Sequence, residues 1–156
     1  MINFFALLGL AETFAVDLKQ LEVKYFNAQR EFHPDRVGNS FEAMQQGANL
    51  NEAYATLKDP FKRACHLLQL QGIDALQDGP NPYTTPQLLQ ESFMMREALA
   101  EANDVSVIKA DHAMRTAATL EKIAQAAETQ AWTEMAQAVV TLKFLNTFAG
   151  EIARHA

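Results

Sequence analysis

The sequence predicts an all-α protein built from two helical regions, and three observations carry that prediction. Apolar residues recur at steps of three and four through most of the chain, and no segment shows the alternation of a strand. Turn formers gather in one place, Gln77-Asp78-Gly79-Pro80-Asn81-Pro82-Tyr83-Thr84-Thr85. With 156 residues, 49% of them hydrophobic, the chain can form one domain or two small ones.

The first stripe is Leu18, Leu21, Tyr25, Ala28 and Phe32. Asp17 is placed to cap that helix, with Gln20 three residues on in capping-box position. Pro34 disfavours helical geometry at His33, so the helix ends near Phe32, and Gly38-Asn39 breaks the chain again. A second stripe, Leu50, Ala53, Tyr54 and Leu57, stops at Asp59-Pro60. The simplest arrangement is an antiparallel helical hairpin that displays His33 to Asn39 at its tip.

Beyond the turn-rich segment, Pro86 suits the first turn of a new helix capped by Thr85 and running to about Ala102. A second starts near Val105 or Ser106 and carries Ile108, Met114, Leu120 and Ile123 to about Thr129. The third carries Trp132, Met135, Val139, Leu142, Leu145 and Ile152. Three long helices with short links favour an antiparallel bundle. The expected organisation is an N-terminal domain over 1–75, a linker over 76–85 and a three-helix bundle over 86–156.

Charge narrows the function classes. The net charge is −6, and the acidic excess is even: residues 1–78 hold seven Lys or Arg against ten Asp or Glu, the remainder six against nine. Nucleic-acid binding, which needs a clustered basic surface, is disfavoured. No run approaches the ~20 apolar residues of a membrane helix, and the N-terminus lacks signal-peptide features, so a soluble, cytoplasmic protein without membrane contact is expected. Cys65 is the only cysteine, which excludes an internal disulfide, and is read as a small apolar filler beside Leu68. His33, His66, His112 and His155 are scattered, and the adjacent Cys65 and His66 point about 100° apart on a helix, so no metal or other cofactor is expected.

The chemistry-bearing feature is His33-Pro34-Asp35-Arg36. His33 offers a donor or acceptor, Asp35 a carboxylate, Pro34 a stiff backbone and Arg36 a fixed charge. Raised on a hairpin tip, such residues offer charge-assisted hydrogen bonds to a partner. A His–Asp acid–base pair is the catalytic alternative, but it needs a cleft that excludes water and holds a substrate.

Three motifs in order are similar to a J-domain: Phe4-Phe5-Ala6-Leu7-Leu8-Gly9, then His33-Pro34-Asp35-Arg36, then Asn51-Glu52-Ala53-Tyr54-Ala55-Thr56-Leu57-Lys58-Asp59-Pro60. Pro60-Phe61-Lys62-Arg63-Ala64-Cys65-His66-Leu67-Leu68-Gln69-Leu70-Gln71-Gly72 further resembles the join characteristic of the HscB family, the J-type co-chaperones of iron–sulfur cluster assembly. The resemblance covers nearly the whole chain. It implies a protein that is not an enzyme and that has two partners, an HscA/DnaK-type ATPase chaperone and the iron–sulfur scaffold protein IscU. Asp35 would reach an arginine of the chaperone, with His33 and Pro34 fixing the loop. Helices leading into this loop usually present a basic face, and here the set is Lys24, Arg30 and Arg36, extended by Lys58, Lys62 and Arg63 if the fold brings them near. Residues 17–36 balance four basic against four acidic side chains, so weak, salt-sensitive docking is expected. Arg36 stands where lysine is more common and keeps the charge but not the shape.

In the second half, Leu88, Ser92, Met95 and Leu99 suffice to face a bundle core, leaving Leu89, Phe93 and Met94 as surplus apolar surface. One reading buries this helix on two sides; the other makes the surplus a binding face. The resemblance favours binding, with Leu89, Phe93 and Glu97 matching scaffold-recognition positions and Phe144 a fourth. Gln90 replaces a common methionine and Met94 a common acidic residue, and the paired-cysteine zinc module of eukaryotic relatives is absent. A J-domain co-chaperone for a different client is the alternative. A helical hydrolase using His33 and Asp35, and a purely structural helical protein, are the readings from other classes.

Overall fold

The structure, a computed structural model, describes residues 1–38 and 40–155, with Pro34 described by its backbone alone. The expected Gly38-Asn39 break falls partly on Asn39, outside the described residues; Gly38 has φ +82°. Every regular element among the described residues is a helix, and the chain divides into two compact units, Met1–Leu70 and Gln71–Ala156.

The first unit holds α1 (Phe4–Leu7), α2 (Leu18–Glu31), α3 (Pro34–Val37), α4 (Phe41–Lys58) and α5 (Pro60–Leu70). Asp17 caps α2 as its position predicts, its carboxylate accepting from the N–H of Lys19 at 2.9 Å and of Gln20 at 3.3 Å. Leu21 of α2 and Leu50, Ala53 and Leu57 of α4 are buried. Tyr25 stacks on Tyr54 at 4.3 Å and its hydroxyl meets Asn51 Oδ1 at 2.6 Å, while Gln29 also reaches Asn51, which makes the pair an antiparallel hairpin. Leu18, placed in the stripe from sequence, is instead more than half exposed as the first residue of α2.

Asp59 both ends α4 and starts α5, since its Oδ1 accepts from the N–H of Phe61 at 2.8 Å and Lys62 at 3.3 Å. Pro60, which has no N–H to satisfy, takes the first position of α5. Two polar side chains of α5 then point inward. Arg63 Nη1 donates to the Leu57 carbonyl at 2.7 Å, one of the last-turn oxygens of α4 that no helical N–H can reach, and the guanidinium lies over the Phe14 ring. His66 Nε2 accepts from the Phe4 N–H at 3.1 Å, and its ring stacks on Phe4 and Phe5, which fastens α1 to α5.

The second unit holds α6 (Pro86–Glu101), α7 (Ser106–Glu128) and α8 (Trp132–His155). Thr85 Oγ1 caps α6 at the Leu88 N–H, 3.1 Å. α7 and α8 pack antiparallel, with His112 Nε2–H donating to the Leu145 carbonyl at 2.7 Å. α6 runs parallel to α8: Leu99, Phe148 and Ile152 form a core cluster with Met95, Val105, Ile108 and Phe144 against it, and His155 reaches the Ala102 carbonyl. Met114, expected on the inner face of α7, is exposed, because Ile108, His112, Thr119 and Ile123 already fill the arc that turns inward.

Burial pushes the His66 ring below its ordinary value of 6.5, against the opposing pull of the Glu12 and Glu52 carboxylates. A depressed folded-state value means that the stability carried by the neutral ring is complete above the unfolded-state value and is lost as pH falls through the folded one. Urea unfolding followed from pH 7.5 to 5 is expected to show this decline, and His66→Gln, whose amide oxygen accepts a hydrogen bond without titrating, should flatten it.

Candidate functional site

The hairpin tip is a built turn and not a slack loop. His33 receives three N–H groups: its carbonyl accepts from Arg36 at 2.8 Å and Val37 at 3.1 Å, and its ring Nδ1 accepts from the Asp35 backbone at 3.2 Å. The imidazole therefore acts as the N-cap of α3, a role that requires Nδ1 to carry no proton. Pro34 occupies the first helical position, where a missing N–H costs nothing. Ser40 then caps α4, its Oγ accepting from Ala43 at 3.1 Å.

This turn presents Asp35. The carboxylate side chain is 94% exposed, with its Oδ2 3.5 Å from Nδ1 of the His33 ring. An acid–base pair gains its force from a dry, enclosed site, whereas these two groups stand in solvent. The arrangement suits recognition: a fixed backbone holds a solvated carboxylate clear of the hairpin.

The structure divides the basic residues. Arg36 lies in α3 and is exposed, and Arg30, in the last turn of α2, is held by Asn27 Oδ1 beside His33. Lys24 stands midway along α2, with its Nζ 3.9 Å from where a Cβ on Gly9 would lie. Lys58, Lys62 and Arg63 are at the wrong end: α4 spans 18 residues, which separates them from the tip by about 25 Å. Arg63 is buried and bonded besides.

On α6 the inner arc is Leu88, Met95 and Leu99, and the outer arc remains in solvent: Leu89 is 60% exposed, Phe93 70% and Met94 59%. These three are surplus to the packing of the second unit. Glu97 is exposed one turn beyond Phe93. Phe144 differs from the others, since it is half-buried, stacks on Phe148 at 5.7 Å and lies under the Arg96 guanidinium at 5.2 Å. Arg96 is held there by a two-bond pair with Glu151 at 3.1 and 3.2 Å, a cover that the spacing of apolar residues could not disclose. Among the described residues no group of three His, Cys, Asp or Glu is placed to hold a metal ion, and no helix is long and apolar enough to cross a membrane.

Comparison with known proteins agrees with this geometry. A family model described as the DnaJ domain matches residues 3–66, and one described as the HSCB C-terminal oligomerisation domain matches residues 84–153. The co-chaperone protein HscB of Proteus mirabilis is 32% identical over 156 residues, covering 92% of this chain and 90% of that protein. The chain belongs to the HscB co-chaperone family. A co-chaperone HscB homologue of Cupriavidus taiwanensis is 42% identical over 105 residues, 64% of this chain, and this match spans 59% of that relative. Among solved structures, chaperone HscB from Vibrio cholerae superposes with a TM-score of 0.78 at 30% identity, covering 98% of this chain and 96% of that one. The chain thus pairs a J-domain with an HscB-type C-terminal helical domain, and the relatives named here are co-chaperones.

If the His33 ring holds the turn, His33→Ala should speed amide hydrogen exchange at Asp35 by roughly five- to tenfold, the effect of losing one net hydrogen bond of about 1 kcal/mol. His33→Asn, which restores a capping acceptor, should recover part of the protection.

Proposed function

We propose that this protein is a co-chaperone of iron–sulfur cluster assembly that stimulates the ATPase of an HscA/DnaK-type chaperone through His33, Pro34, Asp35 and Arg36. Lys24 and Arg30 lend charge, and the bundle over 86–156 delivers an IscU-type scaffold through Leu89, Phe93, Glu97 and Phe144. Residues 1–75 are the chaperone-facing part and 76–85 the link. The observation that carries the reading is the coexistence, in one family member, of a solvated carboxylate on a capped turn and an apolar helix face left over after core packing.

The physics of the two contacts differs. Asp35 makes no bond change; it biases the partner towards its hydrolysis-competent arrangement, and each ~1.4 kcal/mol removed from the partner's barrier is a tenfold gain in rate. Leu89, Phe93 and Met94 gain instead by leaving water. Met94 extends this apolar area by one residue beside Phe93, so the client surface opposite it is expected to be apolar there.

Single-turnover ATP hydrolysis by the DnaK-type chaperone of the same organism, with scaffold protein present, tests the first contact. Asp35→Asn at matched concentration should remove the stimulation, and equal rates would reduce the turn to a structural element.

Titration calorimetry tests the second. Phe93→Ala should weaken scaffold binding by about 2–4 kcal/mol, the range of a central aromatic anchor, with thermal stability unchanged because the ring touches solvent. Unchanged affinity would remove Phe93 from the interface.

A further inference from the structure

A trough of about 680 Å³ runs through the second unit between α6 and the α7–α8 hairpin, a volume typical of small-molecule sites. Along α7 its lining extends from Arg115 to Thr129, about 21 Å of helix. The floor is nearly sealed, since Leu88, Thr119, Ala126, Ala138 and Leu145 are all buried. So narrow a slot admits an unbranched chain and excludes a helix, which is about 10 Å across.

The two ends of the slot differ in chemistry. Met95, Phe144 and Leu145 line the inner end, where the Arg115–Glu91 pair at 3.5 Å bridges α7 to α6. The polar groups there are already engaged. The Thr119 and Thr141 hydroxyls donate to the Arg115 and Gln137 carbonyls of their own helices at 2.7 and 3.2 Å, and Arg115 is held a second time by Asp111 at 2.7 Å. Walls whose hydrogen bonds are satisfied lose little by meeting hydrocarbon. The open end lies where α6 begins, α7 ends and α8 begins. Lys122 stands on that side, exposed and without a hydrogen bond or ion pair to any described residue. Glu134, also on the lining, sits in the first turn of α8, where the helix dipole offsets its charge.

We infer that this trough binds a linear amphiphile of the fatty-acid class, with an unbranched apolar tail and a carboxylate head. The tail lies over Leu88, Ala126 and Ala138 towards Phe144, and Lys122 holds the carboxylate at the open end. Glu91 on the trough side and Phe93 on the outer arc are about 160° apart around α6, so the site is separate from the face proposed for the scaffold.

Titration calorimetry of the full-length protein with sodium dodecanoate, below its micelle-forming concentration, is the test. One molecule should bind per chain, and Lys122→Glu should weaken binding about tenfold, the effect of losing one hydrogen bond to a charged group. Dodecanol, which has no carboxylate, should not distinguish Lys122→Glu from the wild type. Ala118→Trp, at an exposed position of the lining, places an indole in the slot and should abolish binding. Should thermal melting show that this variant folds poorly, the Met95 methyl resonance of the wild-type protein decides, since a tail in the slot must shift it. Undiminished binding by Lys122→Glu or by folded Ala118→Trp overturns the proposal, as does an unmoved Met95 signal or binding only above the micelle-forming concentration. Loss of binding in Phe93→Ala would place the amphiphile on the outer arc of α6 and overturn it equally.

Discussion

Burial of one face of α4 is the constraint on which the first unit depends. α1, α2 and α5 all take their principal packing from it, and Leu50, Ala53 and Leu57 are sealed beneath them. Each leucine contributes on the order of 1.5–3 kcal/mol by leaving water, so the three helices hold their places on α4 more firmly than any single hydrogen bond would hold them. The ends of α4 then acquire opposite roles. Its C-terminal end is closed by polar groups taken inside, Arg63 on the Leu57 carbonyl, with His66 fastening α1 to α5. Its N-terminal end is open, and the short connection to α2 presents Asp35 with no apolar residue needed beneath it.

That division explains how a solvated tripeptide keeps a defined shape. Fourteen residues of α2 and eighteen of α4, joined by Tyr25, Gln29 and Asn51, fix the entry into the turn. The three acceptor contacts of His33 then hold the backbone from His33 to Val37. Exposure and rigidity usually oppose one another, since few buried contacts hold an exposed segment. Here the rigidity is borrowed from the hairpin core several turns away.

Much of this was legible in the chain. The capping residues Asp17 and Thr85, the turn-rich boundary and the apolar stripes gave the helices and their order, because capping and periodicity are local signals. What escaped has local causes too. α3 is a single turn, too short to show a period, and its cap is an imidazole, which sequence rules do not count among capping side chains. Leu18 and Met114 fit the step of three or four yet face solvent, since periodicity says which residues share a face and not which of them a partner covers. Arg63 and His66 were read as surface or scattered polar residues, and both are buried where backbone groups of another helix lack partners. The cover of Arg96 over Phe144 depends on Glu151, 55 residues away in sequence, a distance no motif spans.

The face of α6 that carries Leu89, Phe93 and Met94 illustrates how exposed apolar surface coexists with a stable bundle. Leu88, Met95 and Leu99 supply the helix's share of the core, so the exposure of Leu89, Phe93 and Met94 takes nothing from the fold. Substitution on the outer arc is accordingly free of packing constraint, whereas Phe144 answers to both requirements, stacked on Phe148 within and covered by Arg96 without. Positions such as Gln90 and Met94 can therefore vary without repacking the bundle. Phe144 has no such freedom, because any ring it loses is lost to the core as well as to the surface.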